Sequence, residues 1–235
     1  MENIPTHIAI IPDGSRRWAH KRGLPSFLGH REGAKTTERI LRAALDLGIP
    51  AIAIWGSSVS NITKRSREEV QFLFDIFAEY FAKLADSKEV KEHDVRVRIL
   101  GRWEELFPEH AKKPMRNVVE QTKHHANHQL TFLMAYSGVE EMLETIRGIA
   151  AEKQKRPELS ISESTVKEHL WTKELPPVDL VIRTGGEPHW SAGFMMWDVA
   201  EARLHFTETL WPDFSADEFK NAVERFSDTK RRFGK

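Results

Sequence analysis

Short apolar runs that favour β-strands alternate with helical stretches along the chain of 235 residues. The strand-like runs are rich in isoleucine, valine and leucine, and they are predicted at residues 7–11, 51–55, 95–100, 130–135, 178–182 and 203–206. Apolar strands separated by helices predict an α/β fold, with a mostly parallel sheet covered by helices on both faces. The sequence shows no internal repeat and no low-complexity tract, which favours a single domain over residues 1–235.

The segments between these strands carry helical patterns. Helices are predicted at residues 33–47, 66–85, about 104–127, 139–153, 162–170 and 215–231. Ser66 with Glu69 three residues later has the pattern of a capping box at the start of the second helix. Apolar side chains cover most of that helix over residues 69–85, a broader surface than the stripe of a solvent-facing helix. The helix is therefore either buried in the core or the wall of a hydrophobic cavity.

Charge and cysteine content exclude several classes of protein. Lysine plus arginine number 35 and aspartate plus glutamate number 35, so nucleic acid is not an expected partner. Positive charge is nevertheless concentrated in residues 13–35 and 225–235, which favours small anions as ligands. The lack of cysteine excludes disulfides and thiolate chemistry and fits a cytoplasmic location. No apolar run approaches the roughly 20 residues of a transmembrane helix, and the first residues do not resemble a secretory signal.

Ligands of parallel α/β sheets bind beyond the carboxyl ends of the strands, so the loops that follow the strands are the candidate sites. The loop after the first strand is Pro12-Asp13-Gly14-Ser15-Arg16-Arg17-Trp18. A carboxylate beside a glycine and two arginines suits a magnesium–phosphate site, because Mg²⁺ prefers oxygen ligands and arginine binds phosphate bidentately. A tight Asp-Gly turn with solvated arginines is the alternative.

Two other loops carry similar signals. The loop after the fifth strand runs from Arg183 through a Gly-Gly pair to Ser191, and glycines let backbone amides approach an anion. The loop after the second strand holds small hydroxyl residues and Asn61, which suit either phosphate binding or ordinary turn chemistry. Two candidate phosphate loops in one parallel sheet indicate a site for two phosphorylated ligands.

Several long motifs in order resemble the cis-prenyltransferases, the isoprenyl transferases of the undecaprenyl diphosphate synthase type. The segment from His7 to Ala19 is similar to the first signature of that family, His-x-x-x-x-x-Asp-Gly-Asn-Gly-Arg-Trp-Ala. The sequences Gly29-His30-x-x-Gly33, Asp179-Leu-Val-Ile-Arg-Thr-Gly-Gly-Glu187, Leu210-Trp-Pro-Asp-Phe214 and Arg232-Phe-Gly234 are similar to later family motifs. The resemblance extends over nearly the whole chain.

The resemblance implies a six-stranded, mostly parallel sheet with a hydrophobic tunnel, usually in a homodimer. The implied reaction condenses isopentenyl diphosphate with an allylic prenyl diphosphate to form cis double bonds. A peripheral membrane contact for product release is also plausible on this resemblance. The alternatives are a non-catalytic partner subunit of such an enzyme and a divergent enzyme that performs a different prenyl condensation.

The resemblance also assigns roles to residues of this chain. Asp13 would organise Mg²⁺ and the departing diphosphate, and Asn61 would accept the proton. The allylic diphosphate would be bound by Gly14, Ser15, Arg16, Arg17, His30 and Arg65. Isopentenyl diphosphate would be bound by Arg183, His189 and Ser191, with Arg232 and Gly234 supplied by the partner chain. Ser58 would lie between the two ligands, and Phe72, Leu73, Ile76 and Phe77 would line the tunnel.

The chain departs from the family pattern at several of these positions. The family's Asn-Gly is Ser15-Arg16 here, and Ser26 stands where a diphosphate-binding arginine is usual. Two further candidate substrate-binding residues are Trp18, which matches the first signature, and Ser26, which occupies the position of that arginine. His189 replaces an arginine, and Arg203 replaces an acidic residue that helps to bind magnesium. We hypothesise that the positive charges of Arg16 and Arg203 take the place of the missing family arginines or of part of the metal ion's charge.

Overall fold

The computed structural model describes residues 4–228, and in it six parallel strands form one sheet. The strands are β1 (His7–Ile11), β2 (Ala51–Trp55), β3 (Val95–Leu100), β4 (His128–Leu133), β5 (Leu180–Arg183) and β6 (Arg203–Phe206). Their order across the sheet is β3-β4-β2-β1-β5-β6. Each of the five pairings is parallel, which confirms the predicted α/β fold class.

Ten α-helices are described around this sheet. They are α1 (Ser15–Lys21), α2 (Ser26–Asp46), α3 (Val59–Lys64), α4 (Arg67–Asp86), α5 (Lys88–Glu92), α6 (Trp103–Leu106), α7 (Glu109–Thr122), α8 (Gly138–Lys155), α9 (Glu163–His169) and α10 (Ala216–Asp228). The helix predicted at 104–127 is two helices, because Pro108 forces Phe107 into an extended conformation between α6 and α7. Within the described residues, none of the helices has the length and apolarity needed to cross a membrane.

The two faces of the sheet bury different layers, since side chains alternate along each strand. Ile8 and Ile10 of β1 point to the face covered by α2 and α10. Ala9 and Ile11 point to the opposite face, against the segment from Leu175 to Met195 and the aromatic ring of Tyr136. Both faces are therefore covered, as the apolar strands predict.

The strand order brings the candidate loops together. Strand β1 lies between β2 and β5, so the loops that follow Ile11, Trp55 and Arg183 emerge side by side at the carboxyl edge of the sheet. The chain continues from β1 towards β2 on one side, whereas β5 and β6 lie on the other side. This reversal is the topological switch point at which ligands bind in open α/β sheets.

Candidate active site

A polar cavity of about 880 Å³ opens at this switch point. Its lining includes most of the polar residues that the sequence singles out: Asp13, Gly14, Ser15, Arg16, Arg17, His30, Ser58, Asn61, Arg65, Arg183, His189 and Ser191. It also includes residues for which the sequence analysis assigned no role, among them His20, Trp55, Ser60, Glu187 and Trp190. The cavity is large enough for two small phosphorylated ligands side by side.

Asp13 is held at the floor of the polar cavity by two arginines. Arg17 Nη2 donates to one carboxylate oxygen at 3.1 Å, and Arg183 Nη2 donates to the other at 3.0 Å. The backbone is fixed as well, because the Asp13 amide donates to Thr184 Oγ1 at 2.9 Å and that hydroxyl donates to the Asp13 carbonyl at 2.8 Å. The loops after β1 and β5 are therefore joined around one carboxylate.

Gly14 allows the chain to turn from β1 into α1. Its φ of 108° lies in the left-handed region that favours glycine. A Cβ atom at this position would lie 2.7 Å from Cδ2 of Leu210, which belongs to the segment after β6. The two residues after Gly14, Ser15 and Arg16, begin α1 rather than continue the loop predicted from the sequence.

Arg183 also organises the second candidate loop. Its guanidinium is almost fully buried, and Nη1 donates to the His189 carbonyl at 2.6 Å and to Ser191 Oγ at 2.7 Å. Ser191 Oγ lies 3.1 Å from His189 Nε2. One arginine therefore connects Asp13 to the two residues predicted to bind the second diphosphate.

A separate cluster of charges lies on the other side of the polar cavity, around Glu69 of α4. Its carboxylate accepts from Arg65 Nη1 at 2.9 Å, lies 3.1 Å from His30 Nε2 and is 3.6 Å from Arg16 Nε. Burial would raise the pKa of Glu69, but the hydrogen bond from His30 and the charges of Arg65 and Arg16 lower it overall. Burial lowers the pKa of His30 below 6.5. Glu69 thus orients three groups that the sequence assigns to one diphosphate.

Ser58 and Asn61 form a capping box at the start of α3. Ser58 Oγ accepts from the Asn61 amide at 3.0 Å, and Asn61 Oδ1 accepts from the Ser58 amide at 3.1 Å. The cap fixes both side chains in the wall of the polar cavity.

Some predicted residues lie elsewhere. Trp18 donates its indole N–H to Asp213 at 2.6 Å, and Ser26 Oγ lies 3.0 Å from His20 Nε2, so neither lines the polar cavity. Arg203 donates to the Phe226 carbonyl at 2.5 Å and lies over the Phe226 ring, so its charge is directed towards α10 and not into the polar cavity. Arg232 and Gly234 lie outside the described residues.

An apolar cavity of about 250 Å³ continues from the polar cavity. The two cavities share Pro12, Ser15, His30, Gly56 and Leu73 in their linings. The apolar cavity runs between α2 and α4 over the isoleucines of β2 and ends near the Arg42–Glu89 ion pair, His128 and Gln129. Its lining therefore extends from the carboxyl edge of the sheet to the opposite edge.

Helix α4 supplies one wall of the apolar cavity and also packs in the core. Leu73, Ile76 and Phe77 line the cavity, whereas Phe74 is buried against Phe107. Phe72, the remaining residue predicted to line a tunnel, instead stacks on Phe27 of α2 at 4.2 Å between ring centroids. One face of α4 therefore lies in the core and another lines a hydrophobic cavity, so each of the two interpretations of its sequence applies to one face.

Gly56, which lines both cavities, lies against Met134, which lines the apolar cavity. A Cβ atom at Gly56 would lie 2.2 Å from Sδ of Met134, so only glycine is compatible with this methionine position. Met134 directly follows β4, which ends at Leu133. The sequence predicts a strand over 130–135, with Met134 inside it, and therefore does not indicate that Met134 lines the apolar cavity.

The described residues fit a magnesium ion that is completed by substrate oxygens. Asp13 provides a hard carboxylate ligand, and Glu187 is near it, with Oε1 3.4 Å from Nη1 of the same Arg17 that contacts Asp13. Residues 4–228 hold no group of three or more acidic, histidine or cysteine side chains placed to bind a metal. Mg²⁺ characteristically takes one or two carboxylates and fills the remaining positions with water and phosphate oxygens.

Comparisons with known proteins agree with this arrangement. The family model described as "Putative undecaprenyl diphosphate synthase" matches residues 11–234. The chain is 38% identical to an isoprenyl transferase of Thermotoga maritima over 98% of this chain and 97% of the relative. It is 36% identical to the geranylgeranyl-diphosphate-specific tritrans,polycis-undecaprenyl-diphosphate synthase of Thermococcus kodakarensis, over 99% and 88% of the two chains.

A solved structure shows the same fold. The lavandulyl diphosphate synthase of Lavandula x intermedia, in complex with dimethylallyl diphosphate, superposes with a TM-score of 0.90 at 31% identity over 100% of both chains. The fold is that of a prenyltransferase. The chain belongs to the undecaprenyl diphosphate synthase family, as its sequence motifs indicate.

Proposed function

We propose that this protein elongates prenyl chains by condensing isopentenyl diphosphate with an allylic prenyl diphosphate and releasing diphosphate. One observation supports this most strongly: a polar cavity with Asp13 between two arginines opens directly into an apolar cavity bounded by α2 and α4. The polar cavity suits the two diphosphates, and the apolar cavity suits the growing hydrocarbon. Burial of hydrocarbon contributes about 0.8 kcal/mol per methylene group.

The allylic diphosphate is assigned to the side of the polar cavity that holds Ser15, Arg16, His30 and Arg65, which lies next to the junction with the apolar cavity. Its C1–O bond breaks, the bonding electron pair leaves with the diphosphate, and the arginines stabilise that departing group. When bound, Mg²⁺ supplies Lewis-acid stabilisation of that leaving group. Asp13 and Glu187 are the side chains proposed to hold it.

Isopentenyl diphosphate is assigned to Arg183, His189 and Ser191, which hydrogen bonds link to each other and, through Arg183, to Asp13. Its terminal alkene carbon attacks C1 of the allylic substrate, and the new double bond forms as a proton leaves C2. Ser58 and Asn61 line the same polar cavity, and the family resemblance supports Asn61 Oδ1 as the proton acceptor. Positioning two diphosphates side by side supplies much of the rate.

A homodimer is part of the proposal, because large apolar side chains are exposed on α8 and on β6. Val139, Leu143 and Ile146 form an exposed stripe on α8, and Leu204 and Phe206 are exposed on the edge strand β6. A second copy seated there would cover the edge strand and could contribute its Arg232 and Gly234. Cytoplasmic location and a peripheral membrane contact for product release remain predictions.

A different prenyl condensation is the second candidate. It is favoured by the fold similarity to a lavandulyl diphosphate synthase at 31% identity and by His189 at a position where the family has arginine. The non-catalytic partner subunit is disfavoured, because Asp13 and Arg183 are both present in the polar cavity and contact each other.

The test is turnover of radiolabelled isopentenyl diphosphate with dimethylallyl, geranyl, farnesyl or geranylgeranyl diphosphate, with Mg²⁺ and with a chelator. We expect Mg²⁺-dependent incorporation with at least one primer. A protein that turns over none of these primers would contradict the proposal and support the partner-subunit alternative. Asp46→Asn, at an exposed carboxylate near the end of α2, is the control for Asp13→Asn in the same assay.

A further inference from the structure

The segment from Pro188 to Met196 carries His189 and Ser191 but contains no helix and no strand. Three of its residues have left-handed backbone conformations, with φ of 47° at Ala192, 63° at Gly193 and 46° at Met195. Alanine and methionine rarely adopt this conformation, and such residues persist only where surrounding contacts hold them. The position of the predicted second diphosphate site therefore depends on what packs beneath this segment.

A buried tyrosine lies directly beneath it. The Tyr136 hydroxyl accepts a hydrogen bond from the Met195 amide at 3.2 Å and donates one to the Glu141 carboxylate. Neither Tyr136 nor Met195 has exposed surface, and Glu141 is only 3% exposed. The left-handed Met195 is thus fixed through its own amide by the side chain of a residue that follows β4.

The tyrosine is in turn fixed by a polar network. The second oxygen of Glu141 accepts from the Thr172 amide at 3.0 Å, and the Thr172 hydroxyl donates to Asp198 at 2.6 Å. Lys167 completes the network by donating to the other oxygen of Asp198. Burial raises the pKa of Glu141. Every hydroxyl and carboxylate of this network has a partner, so it is rigid as well as buried.

A close backbone contact holds the same segment from the side. The Gly138 amide donates to the Ala192 carbonyl at 3.0 Å. A Cβ atom at Gly138 would lie 1.8 Å from the Gly193 carbonyl oxygen, so any larger residue displaces the segment. From above, Arg183 binds the His189 carbonyl and Ser191 Oγ.

We propose that Tyr136 is a positioning residue for the second substrate: through Met195 and the 188–196 segment it places His189 and Ser191 to bind the diphosphate of isopentenyl diphosphate. This inference rests on the proposed function. Tyr136 does not line the polar cavity, and its hydroxyl reaches the 188–196 segment through the Met195 amide. The groups assigned to the allylic diphosphate, Arg65, His30 and Arg16, make no contact with this network among the described interactions.

The first experiment is Tyr136→Phe, which removes only the hydroxyl and leaves the Met195 amide and a Glu141 oxygen without their partner. We expect the KM for isopentenyl diphosphate to rise about tenfold, as expected for one lost buried hydrogen bond. The KM for the allylic primer should stay within about twofold. Calorimetric titration with isopentenyl diphosphate alone should show the same loss of affinity without turnover.

Gly138→Ala tests the same loop by a route that leaves Tyr136 intact. We expect the same selective rise in the KM for isopentenyl diphosphate, since the new methyl group displaces Gly193. Val118→Ala, at a fully buried position of α7, is the control for lost stability: it should lower the melting temperature and leave both KM values unchanged.

Equal changes in both KM values, or none, in Tyr136→Phe and Gly138→Ala would overturn the positioning role while leaving the proposed function intact. A wild-type protein that neither binds nor consumes isopentenyl diphosphate would overturn the proposed function, and this inference with it. If either variant fails to fold, the other decides the question by the same pair of KM values.

Discussion

The polar and apolar cavities meet at five shared lining residues, but they are built from opposite chemistry. The polar cavity is assembled from loops after β1, β2 and β5, and its lining includes four arginines. The apolar cavity is bounded by α2, α4 and the side chains of β2 and β4, with charged groups near its far end. The first is held together by hydrogen bonds between distant segments and the second by periodic apolar faces.

This difference separates two kinds of property. Under the proposed function, charges at Asp13 and the arginines act on the bound diphosphates before and during bond breaking, and so would determine rate and affinity. The apolar walls would contact only the hydrocarbon, and so would determine how long a chain is accommodated. Variants in one cavity should therefore leave the property governed by the other largely unchanged.

The largest effect is expected at Asp13. Asp13→Asn removes the negative charge between Arg17 and Arg183 and the proposed magnesium ligand. We expect kcat to fall by about 10²–10³-fold, the usual cost of removing one preorganised electrostatic group. Initial rates of diphosphate release measure this, and product length should not change. Asp46→Asn should retain the wild-type rate, and an equal loss in both variants would contradict the assignment.

The next effect concerns product length. Leu73→Trp fills the junction of the cavities, whereas Leu84→Trp fills the far half of the apolar cavity. We expect both variants to shorten the products and Leu73→Trp to shorten them more, because the obstruction is met earlier. Mass spectrometry of the released prenyl diphosphates gives the comparison. Products of unchanged length in both variants would show that the chain does not occupy this cavity.

A smaller effect separates the two arginines that depart from the family pattern. Arg16 is half exposed and lines the polar cavity, whereas Arg203 contacts Phe226 and points away from it. We expect Arg16→Ala to weaken binding of the allylic diphosphate about fivefold, or roughly 1 kcal/mol for a partly solvated charge. Arg203→Ala should not change that affinity. The measurement is titration calorimetry, and the reverse ranking would contradict the structure.

The smallest effect is a pH dependence of stability. Burial lowers the pKa of His7 and of His30 below 6.5 in the folded protein, whereas the unfolded chain binds protons at about that value. The unfolded state therefore binds more protons as pH falls below about 6.5, and the free energy of unfolding decreases until pH passes the folded pKa values. Urea unfolding across this range measures the slope. His7→Asn should reduce the slope.

The strands and the two loops that carry Asp13 and Arg183 could be predicted from the sequence, because each has a local sequence pattern. Strands β1, β2, β3 and β6 have the predicted bounds, since each is a short run between turn residues. For the loops of Asp13 and Arg183, the sequence predicts only that both lie at the carboxyl edge of the sheet, and not that the two side chains contact each other. Helix α1 was missed because it buries only Ala19 and so lacks an apolar period.

The role of the Glu69 carboxylate in the site was not predicted, because it contacts a side chain that is distant in the sequence. Ser66 and Glu69 were predicted to form a capping box, and Ser66 does cap the helix by accepting from the Glu69 amide at 3.3 Å. The Glu69 carboxylate instead turns to Arg65 and His30. His30 is 39 residues away in the chain, so no local pattern indicates the contact. The hydrogen bond from the Met195 amide to the Tyr136 hydroxyl could not be predicted either, because it joins residues that are 59 positions apart.

The most direct measurement of the central claim is the product series of the wild-type protein supplied with a farnesyl diphosphate primer, isopentenyl diphosphate and Mg²⁺. If the polar cavity performs the condensation and the apolar cavity accepts the growing chain, mass spectrometry will show linear prenyl diphosphates that differ by one isoprene unit. A single product that is branched and never elongated, or a protein that consumes no isopentenyl diphosphate, would contradict the account.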